Sequence, residues 1–378
     1  MTDLFSPIVL RGVTIRNRIG VAPMCQYSCE PAGENAGHPT DWHLAHLHAR
    51  AIGGAGLVIA EATAVQPEGR ITPQDLGLWN DAQVAGHARL ARVIASAGAV
   101  PGIQIAHAGR KASTNSPWDG GVAGPEEHGW TPVGPSALAF PGLLEPRAMS
   151  EEEIGSTIAA FAATARRAVE AGYRFIEVHA AHGYLLHQFL SPLSNQRNDG
   201  WGGDFAGRTR LTLEVVKAVR AVIPQDMPLG IRFSHTDWLD GGWTTDETVE
   251  LSRQVKALGV DLIDVSSGAL LPAKIPLEPG YQVPGAEAVR RGAEVPVAAV
   301  GLITEPQQAQ DILSAGQADM VFLARELLRD PYWPLHAAAA LGRAEAMQAP
   351  AQYDRAWGHL GKMPVDRETA KPLPVLAD

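Results

Sequence analysis

Two cysteines, Cys25 and Cys29, are all that a chain of 378 residues contains. That excludes a disulfide framework and any site built from four thiolates. No apolar run approaches the roughly 20 residues that a membrane-crossing helix needs. The opening MTDLFSPIVLRGVTIRN lacks the charged-then-apolar pattern of a secretory leader. Positive charge is also in deficit: 31 Lys and Arg stand against 41 Asp and Glu, a net charge of -10. Nucleic acid and anionic membranes are therefore poor partners, although a local basic pocket for one phosphate stays open. No low-complexity segment occurs. With 46% hydrophobic and 19% charged residues, the expectation is a cytoplasmic globular protein with a sizeable core.

What is present is an alternation of short apolar runs with amphipathic helical patterns. Strands are expected at Ile19–Met24, Leu57–Ala62, Gly102–Ala106, Phe175–His179, Leu229–Phe233, Leu262–Ser266, Val297–Val300 and Met320–Ala324. Helices between them include Thr209–Val222, with Leu211, Val215, Val216 and Val219 on one face, and Thr245–Leu258, with Thr245 as a cap. A third is Glu305–Ala315, with Pro306 in its first turn and Gly316 past its end. Eight strand–helix units close most economically into a single (β/α)8 barrel. A doubly wound open sheet would want a glycine fingerprint after an early strand, whereas Gly53-Gly54-Ala55-Gly56 precedes its strand. The barrel should span residues 1–345, with a short hairpin at Pro7–Arg16 plugging its floor and a Pro-rich tail over 346–378. The long Gly- and Pro-rich insertion Gly109–Ser150 after strand three reads equally as a lid or as a surface loop, and Trp118 and Trp130 within it as pocket walls or as cover.

In such barrels chemistry gathers at the C-terminal ends of the strands. Those ends carry Pro23-Met24-Cys25-Gln26-Tyr27, Glu61-Ala62-Thr63, Gln104 with His107, His179 with His182 and Tyr184, Arg232, Ser266-Ser267-Gly268, Gly301, and Ala324-Arg325. Gly301 permits close backbone approach, and Arg325 offers a planar fork to phosphate oxygens at the loops where such barrels often hold one. Taken alone, Arg325 would read as a surface salt-bridge partner. Arg232 lies inside the apolar run Leu229-Gly230-Ile231-Arg232-Phe233, so an inward-pointing guanidinium must meet a buried anion or an electron-rich ring.

At this point the segments VAPMCQYS, EATAVQPEGRIT, IQIAHAGRKA, EVHAAHGYLLHQFLSPLSNQRNDGWGGDFAGRTR, VDLIDVSSGAL and DMVFLARELLRDP match a pattern. The chain resembles the old yellow enzyme family of flavin-dependent ene-reductases, from about Leu4 to about Trp357. Cys25 points to its thermophilic-like bacterial subgroup. The resemblance implies tight, non-covalent FMN, contacted by Ala22, Pro23, Met24, Cys25, Ala62, Gln104, Arg232, Gly301, Ala324 and Arg325. In that likeness Gln104 meets the pyrimidine edge, Arg232 steadies the reduced form near N1, and Gly301, Ala324 and Arg325 hold the phosphate. Cys25 would tune the flavin, or serve as a small buried apolar residue.

The resemblance further implies that NADPH or NADH supplies hydride, that His179 and His182 grip the activating group of an alkene (enone, enal, maleimide or nitroalkene), and that Tyr184 protonates its α carbon. Tyr27 adds a hydroxyl near the substrate. The tail PAQYDRAWGH resembles the segment through which Arg355 reaches a neighbouring subunit's pocket, so a homodimer or homotetramer is expected. The alternative is a metal-dependent barrel hydrolase with His179 and His182 as ligands, for which Glu61, Glu177 and Asp264 are weak partners. No metal is expected. Larger dienoyl-reductase relatives add an iron–sulfur cluster and a nucleotide domain; two cysteines and little chain past the eighth unit speak against both.

Overall fold

The computed structural model describes residues 2–357; the end of the expected tail, 358–378, lies outside the described residues. Eight strands pair in parallel into a closed barrel: β1 Ile19–Val21, β2 Leu57–Ala64, β3 Val100–Ala106, β4 Phe175–Ala180, β5 Leu229–Ser234, β6 Leu262–Ser266, β7 Val297–Ala299 and β8 Met320–Leu323. Closure is made by β8 on β1, with Val321 opposite Ile19 and Leu323 opposite Val21. All eight expected strands form. The first is shorter than expected, because the chain after Val21 leaves the sheet to cross the mouth. The second runs on to Ala64, through a register shift between Ala60 and Ala62.

Helices α1 Asp41–Ile52, α2 Val84–Ser96, α3 Glu151–Glu170, α4 Phe205–Arg220, α5 Thr245–Ala257, α6 Val283–Ala293, α7 Pro306–Ser314 and α8 Trp333–Ala340 follow the strands in turn. Helix α4 begins earlier than its apolar periodicity suggests, since the Asp204 carboxylate accepts from Gly207 N at 2.9 Å and caps it. Its inward face is the expected one, with Leu211, Val215, Val216 and Val219 buried. The cap of α5 is Thr244, not Thr245: Thr244 and Glu247 exchange side-chain-to-backbone bonds in a capping box. Thr245 instead meets His235 Nδ1 at 2.9 Å.

The floor is closed as expected. Ile8–Leu10 and Val13–Ile15 form an antiparallel hairpin, and Leu10, Val13 and Ile15 share one apolar cluster with Leu57, Phe175, Leu262, Met320 and Phe322 from the barrel interior. Large rings there lie against strand glycines: a Cβ on Gly230 would fall 2.5 Å from the Phe175 ring, and one on Gly20 would fall 2.4 Å from the Phe322 ring. Small-against-large complementarity of this kind fills the cylinder.

The segment past α8 packs outside the barrel. Tyr353 has its ring 6.2 Å from Tyr332, and Trp357 lies 5.2 Å from His336.

Gly230→Ala should destabilise the protein by about 1–3 kcal/mol through overpacking, with Phe175→Leu in the same chain recovering much of the loss. Urea unfolding of the two variants checks this, and equal stability of Gly230→Ala and wild type would refute it.

Candidate active site

Inward-facing side chains stack in tiers. Above the apolar floor lie Gln104, Glu177, Arg232 and Asp264, each at most 7% exposed. They are register neighbours: Gln104 stands opposite Glu177, and Arg232 opposite Asp264. Gln104 Nε2 donates to Glu177 Oε1 at 2.8 Å. Arg232 Nε lies 2.9 Å from Asp264 Oδ2, but its N–H is not aimed at that oxygen, so the contact is an ion pair without a well-formed hydrogen bond. The anion that the sequence required for a buried Arg232 is thus Asp264. Burial, and then the nearby Asp264, push the Glu177 carboxyl up to about 8. Burial also lifts Asp264 to about 6, against the pull of Arg232.

The next tier reaches the mouth. His179 stands one residue before the end of β4, and the chain then turns through His182 and Gly183, both at positive φ (59° and 71°). The turn holds three rings together: His179 lies 5.2 Å from His182 and 5.0 Å from Tyr184 between centroids. Gly183 is required where it stands, because a Cβ would fall 2.4 Å from the Ala269 carbonyl oxygen. His182 N donates to Ser234 Oγ at 2.9 Å, and His182 Nε2 meets Ser266 Oγ at 2.7 Å. His179 Nδ1 accepts from Ala181 N at 3.3 Å, which places that ring's proton on Nε2. With Nε2 of His182 engaged by Ser266, Nδ1 is its atom left for a ligand.

Burial, then Arg232, holds both imidazoles well below the usual histidine range, so both are neutral at pH 7. Burial, then Cys25 and Tyr27, keeps the Tyr184 phenol protonated well above its usual range.

A second shell of contacts fixes this turn. His187 Nδ1 accepts from Gly183 N at 2.9 Å, while its Nε2 lies 2.9 Å from Asp237 Oδ1, both side chains fully buried. Burial alone would raise the Asp237 carboxyl, yet His187, with Ser191 and the Trp243 amide, holds it below the usual range. Lys111 Nζ donates to His182 O at 2.8 Å and to Ala269 O at 3.0 Å, and sits 5.1 Å from the Tyr184 ring centroid. Burial, then Arg110, lowers its ammonium to about 8. The base of the Gly109–Ser150 insertion is therefore pinned to the mouth. Further along it, Trp118 packs edge-on at 5.8 Å against Tyr27, and Trp130 lies over Arg70.

Across the mouth from this turn runs the segment after β1. Ala22 N donates to Leu323 O at 3.0 Å, and Pro23, Met24 and Cys25 follow, half-buried, with Tyr27 at φ 50°. Burial, then the carboxylates of Asp75 and Glu61, keeps the Cys25 thiol protonated. Ala62 faces inward beside this segment. Glu61 serves the structure instead: its Oε1 accepts from Gln26 N at 3.1 Å, and its Oε2 lies 3.7 Å from His43 on α1. Among the described residues, no group of three or more His, Cys, Asp or Glu side chains could hold a metal ion.

A cavity of about 180 Å³ opens at the ends of β7 and β8, lined by Arg232, Gln282, Gly301, Thr304, Ala324 and Arg325 among others. Gly301 has φ 118°, and a Cβ there would fall 2.6 Å from Gln282 Nε2. Buried Gln282 ties the two halves of the mouth together: its Oε1 accepts from Ser267 at 2.7 Å and from Ser266 at 3.2 Å, and its Nε2 donates to Val300 O at 3.0 Å. The backbone amides that open the short helix Arg325–Arg329 have no intrahelical acceptor, and they border the same cavity.

Comparison with known proteins assigns this architecture. Residues 3–343 match the model of the NADH:flavin oxidoreductase / NADH oxidase family. The chain belongs to that family, the one that contains the old yellow enzymes. It is 49% identical over 357 residues to an NADPH dehydrogenase of a Geobacillus species, covering 94% of this chain and 99% of that one. It is 46% identical over 354 residues to an NADPH dehydrogenase of Halalkalibacterium halodurans, covering 94% and 98%. Among solved structures, morphinone reductase superposes with a TM-score of 0.75 at 26% identity, covering 90% of each chain. The chain is accordingly an NAD(P)H oxidoreductase that uses FMN.

The residues present suit that flavin. Arg232 brings to the mouth a buried guanidinium whose one carboxylate ion-pair partner among the described residues is Asp264. Gln104 has spent its amide N–H on Glu177 and keeps Oε1 for a ring N–H. The cavity at β7 and β8 offers a cation and free amides to a phosphate. Of the expected residues only Arg355 stands apart. It is exposed on the tail, and among the described residues it bonds to none of the mouth residues.

Reading the sequence did not find Lys111, His187, Asp237 or Gln282. Lys111 and His187 stand inside the quoted segments, yet a lysine in a loop reads as solvated and a histidine on a helix as core.

Neutral imidazoles make a definite prediction. Affinity for an uncharged ligand seated against the two rings should show no step centred on the ordinary histidine value of about 6.5. Titration of flavin absorbance checks it; a several-fold change centred near pH 6.5 would show that one ring titrates normally.

Proposed function

We propose that this chain is an ene-reductase that reduces the activated C=C bond of an enone, enal, maleimide or nitroalkene. The observation that supports it best is the gathering of His179, His182 and Tyr184 around one turn, above the buried cation Arg232. Held by Gln104, Arg232 and the β7–β8 cavity, FMN would supply the hydride chemistry that links NAD(P)H to the substrate. The chain's own residues do the rest. His179 donates through Nε2, and His182 through Nδ1 in the arrangement where the Ser266 hydroxyl turns its one proton from Gln282 Oε1 to His182 Nε2, leaving Ser267 as the donor to Gln282. Together they bind the substrate's carbonyl or nitro oxygen. Two neutral donors stabilise the charge that grows there as the β carbon accepts hydride. Tyr184 then gives its proton to the α carbon; its raised pKa keeps that proton in place until the carbon becomes basic.

Tyr27 contributes a hydroxyl beside the substrate, and Arg232 and Gln104 hold the pyrimidine end of the cofactor. Gly301, Ala324 and Arg325 take its phosphate, while Ala22, Pro23, Met24 and Ala62 form walls. Cys25, a protonated thiol in the segment that crosses the mouth, supports a reading of the chain as one of the thermophilic-like bacterial subgroup. NADPH and NADH are both candidate donors, with NADPH favoured by the names of the relatives. The metal-hydrolase reading loses its support, because Glu177 and Asp264 face Gln104 and Arg232 and form no ligand set with His179 and His182. Arg355, exposed and outside its own mouth, fits a role in a partner's pocket within a homodimer or homotetramer.

Purified protein should be yellow, bleach anaerobically with NADPH, and recover its colour with cyclohexenone. Bleaching without recovery would remove ene reduction and keep the flavin. In His182→Ala, reoxidation by cyclohexenone should fall on the order of 10²-fold or more, the scale of losing one preorganised donor. In Tyr184→Phe it should fall on the order of 10²–10⁴-fold. Stopped-flow absorbance separates these losses from reduction by NADPH, and wild-type reoxidation in both variants would refute the assigned roles.

Arg355→Ala should impair alkene turnover or assembly while FMN stays bound. Unchanged kinetics and an unchanged sedimentation coefficient would remove Arg355 from the site.

A further inference from the structure

The tier beneath the mouth holds one more acid than base. Arg232 is matched by Asp264 at 2.9 Å. Glu177 has only the Gln104 amide, on Oε1, and its buried Oε2 has no hydrogen-bond partner among the described residues. The charged or titratable groups that face it are Asp264 from β6 and Arg232 from β5. One step nearer the mouth on its own strand stands His179, which burial keeps neutral. Strand β3 presents uncharged Gln104; β2, β7 and β8 give Ile59, Ala298 and Phe322 to the apolar interior, as does Ala22 just past β1. Two ionised carboxylates in so dry a space would leave a negative charge uncompensated, which is costly. Adding another negative charge above Arg232 would make it costlier still.

We propose that Glu177 is the charge-compensating group of the flavin site: it carries a proton whenever negative charge resides above Arg232, and it releases that proton only in the oxidised protein at alkaline pH. It acts through Arg232 and Gln104 and touches neither substrate nor ring. This rests on the placement of the pyrimidine end over Arg232 given above. The balance is as follows. Hydride from NAD(P)H brings two electrons and one proton to the site, NAD(P)⁺ departs, and one net negative charge is added. An ionised Glu177 then binds one proton from water, forming an O–H bond at a carboxyl oxygen. Reoxidation by the substrate returns that proton to water.

The sign of the effect follows. Added negative charge raises the carboxyl's proton affinity. Below the pKa that burial raises for it in the oxidised protein, Glu177 is protonated in both states and reduction takes up no extra proton. Above that value, and below the reduced-state pKa, reduction takes up one more.

The test is the midpoint potential of the FMN-loaded protein against pH. Each proton taken up with two electrons contributes about 30 mV per tenfold change in proton activity. The wild type should show about 30 mV per pH unit near neutrality, doubling to about 60 mV at alkaline pH, where the oxidised protein holds Glu177 ionised. Glu177→Gln, which mimics the protonated acid, should match the wild type near neutrality and keep the single-proton slope throughout. A wild-type slope that never doubles, or a doubling that survives in Glu177→Gln, overturns the proposal.

Should Glu177→Gln fail to fold, the reduced-minus-oxidised infrared spectrum of the wild type at alkaline pH decides. A gained carboxylic-acid carbonyl band supports the proposal, and its absence overturns it. A wrong flavin placement would show differently: Arg232→Ala would then leave both FMN affinity and the neutral-pH potential at wild-type values. A wrong role for Glu177 alone would leave Arg232→Ala weakening both.

Discussion

A guanidinium buried inside a cylinder of apolar strands is the constraint around which this molecule is arranged. Arg232 cannot be left there unpaired, and hydration is denied to it by the hairpin below and by the mouth segments above. Asp264 answers part of its charge from the neighbouring strand, in register, but the ion pair is imperfectly formed and the fork still faces the cavity. A site that keeps an under-compensated cation in a dry place is prepared for an electron-rich ligand before one arrives, which is what preorganisation means electrostatically. On the proposed placement of a planar ring over Arg232, Gln104 would meet it at one edge and the histidine turn would offer donors to its open face.

Those donors depend on a turn more than on a strand. His182 and Gly183 both occupy left-handed backbone conformations, which are costly for a histidine and are held only where surrounding contacts over-determine them. Here those contacts come from four directions: Ser234 on the His182 amide, Lys111 on its carbonyl, His187 on the Gly183 amide, and Asp237 behind His187. The buried Asp237–His187 pair thus orients two residues with which neither side chain makes ring contact. Loss of one partner would leave a buried charge and loosen the turn together.

How much of this the sequence disclosed varies with the kind of information involved. The eight strands were legible because a parallel strand covered on both faces is a continuous apolar run, and such runs stand out between amphipathic helices. The rim residues were legible through their placement at strand ends, and Arg232 through the plain conflict between its charge and its neighbours. Boundaries were less so: Thr245 looked as good a cap as Thr244, and only Glu247 three residues past Thr244 distinguishes them. The outward turn of Glu61 follows from the register shift at Ala60/Ala62, which no periodicity announces. The contacts of Lys111, Gln282 and Asp237 span up to 158 residues of sequence, and nothing local marks such partners. For the same reason the Gly109–Ser150 insertion, ambiguous as a string of Gly and Pro, is tied down at its base by two cations, Arg110 and Lys111.

The segments on either side of the floor hairpin couple the two extremities of the cylinder. Leu4 N reaches Gln310, 306 positions away, and the guanidinium of Arg18 reaches the carbonyl of Asp319. Leu10, Val13 and Ile15 of the hairpin share one apolar cluster with Met320 and Phe322 of the eighth strand, so the base of the cylinder is sealed only when the two ends of the barrel sequence have come together. Contacts of such long range make for slow closure.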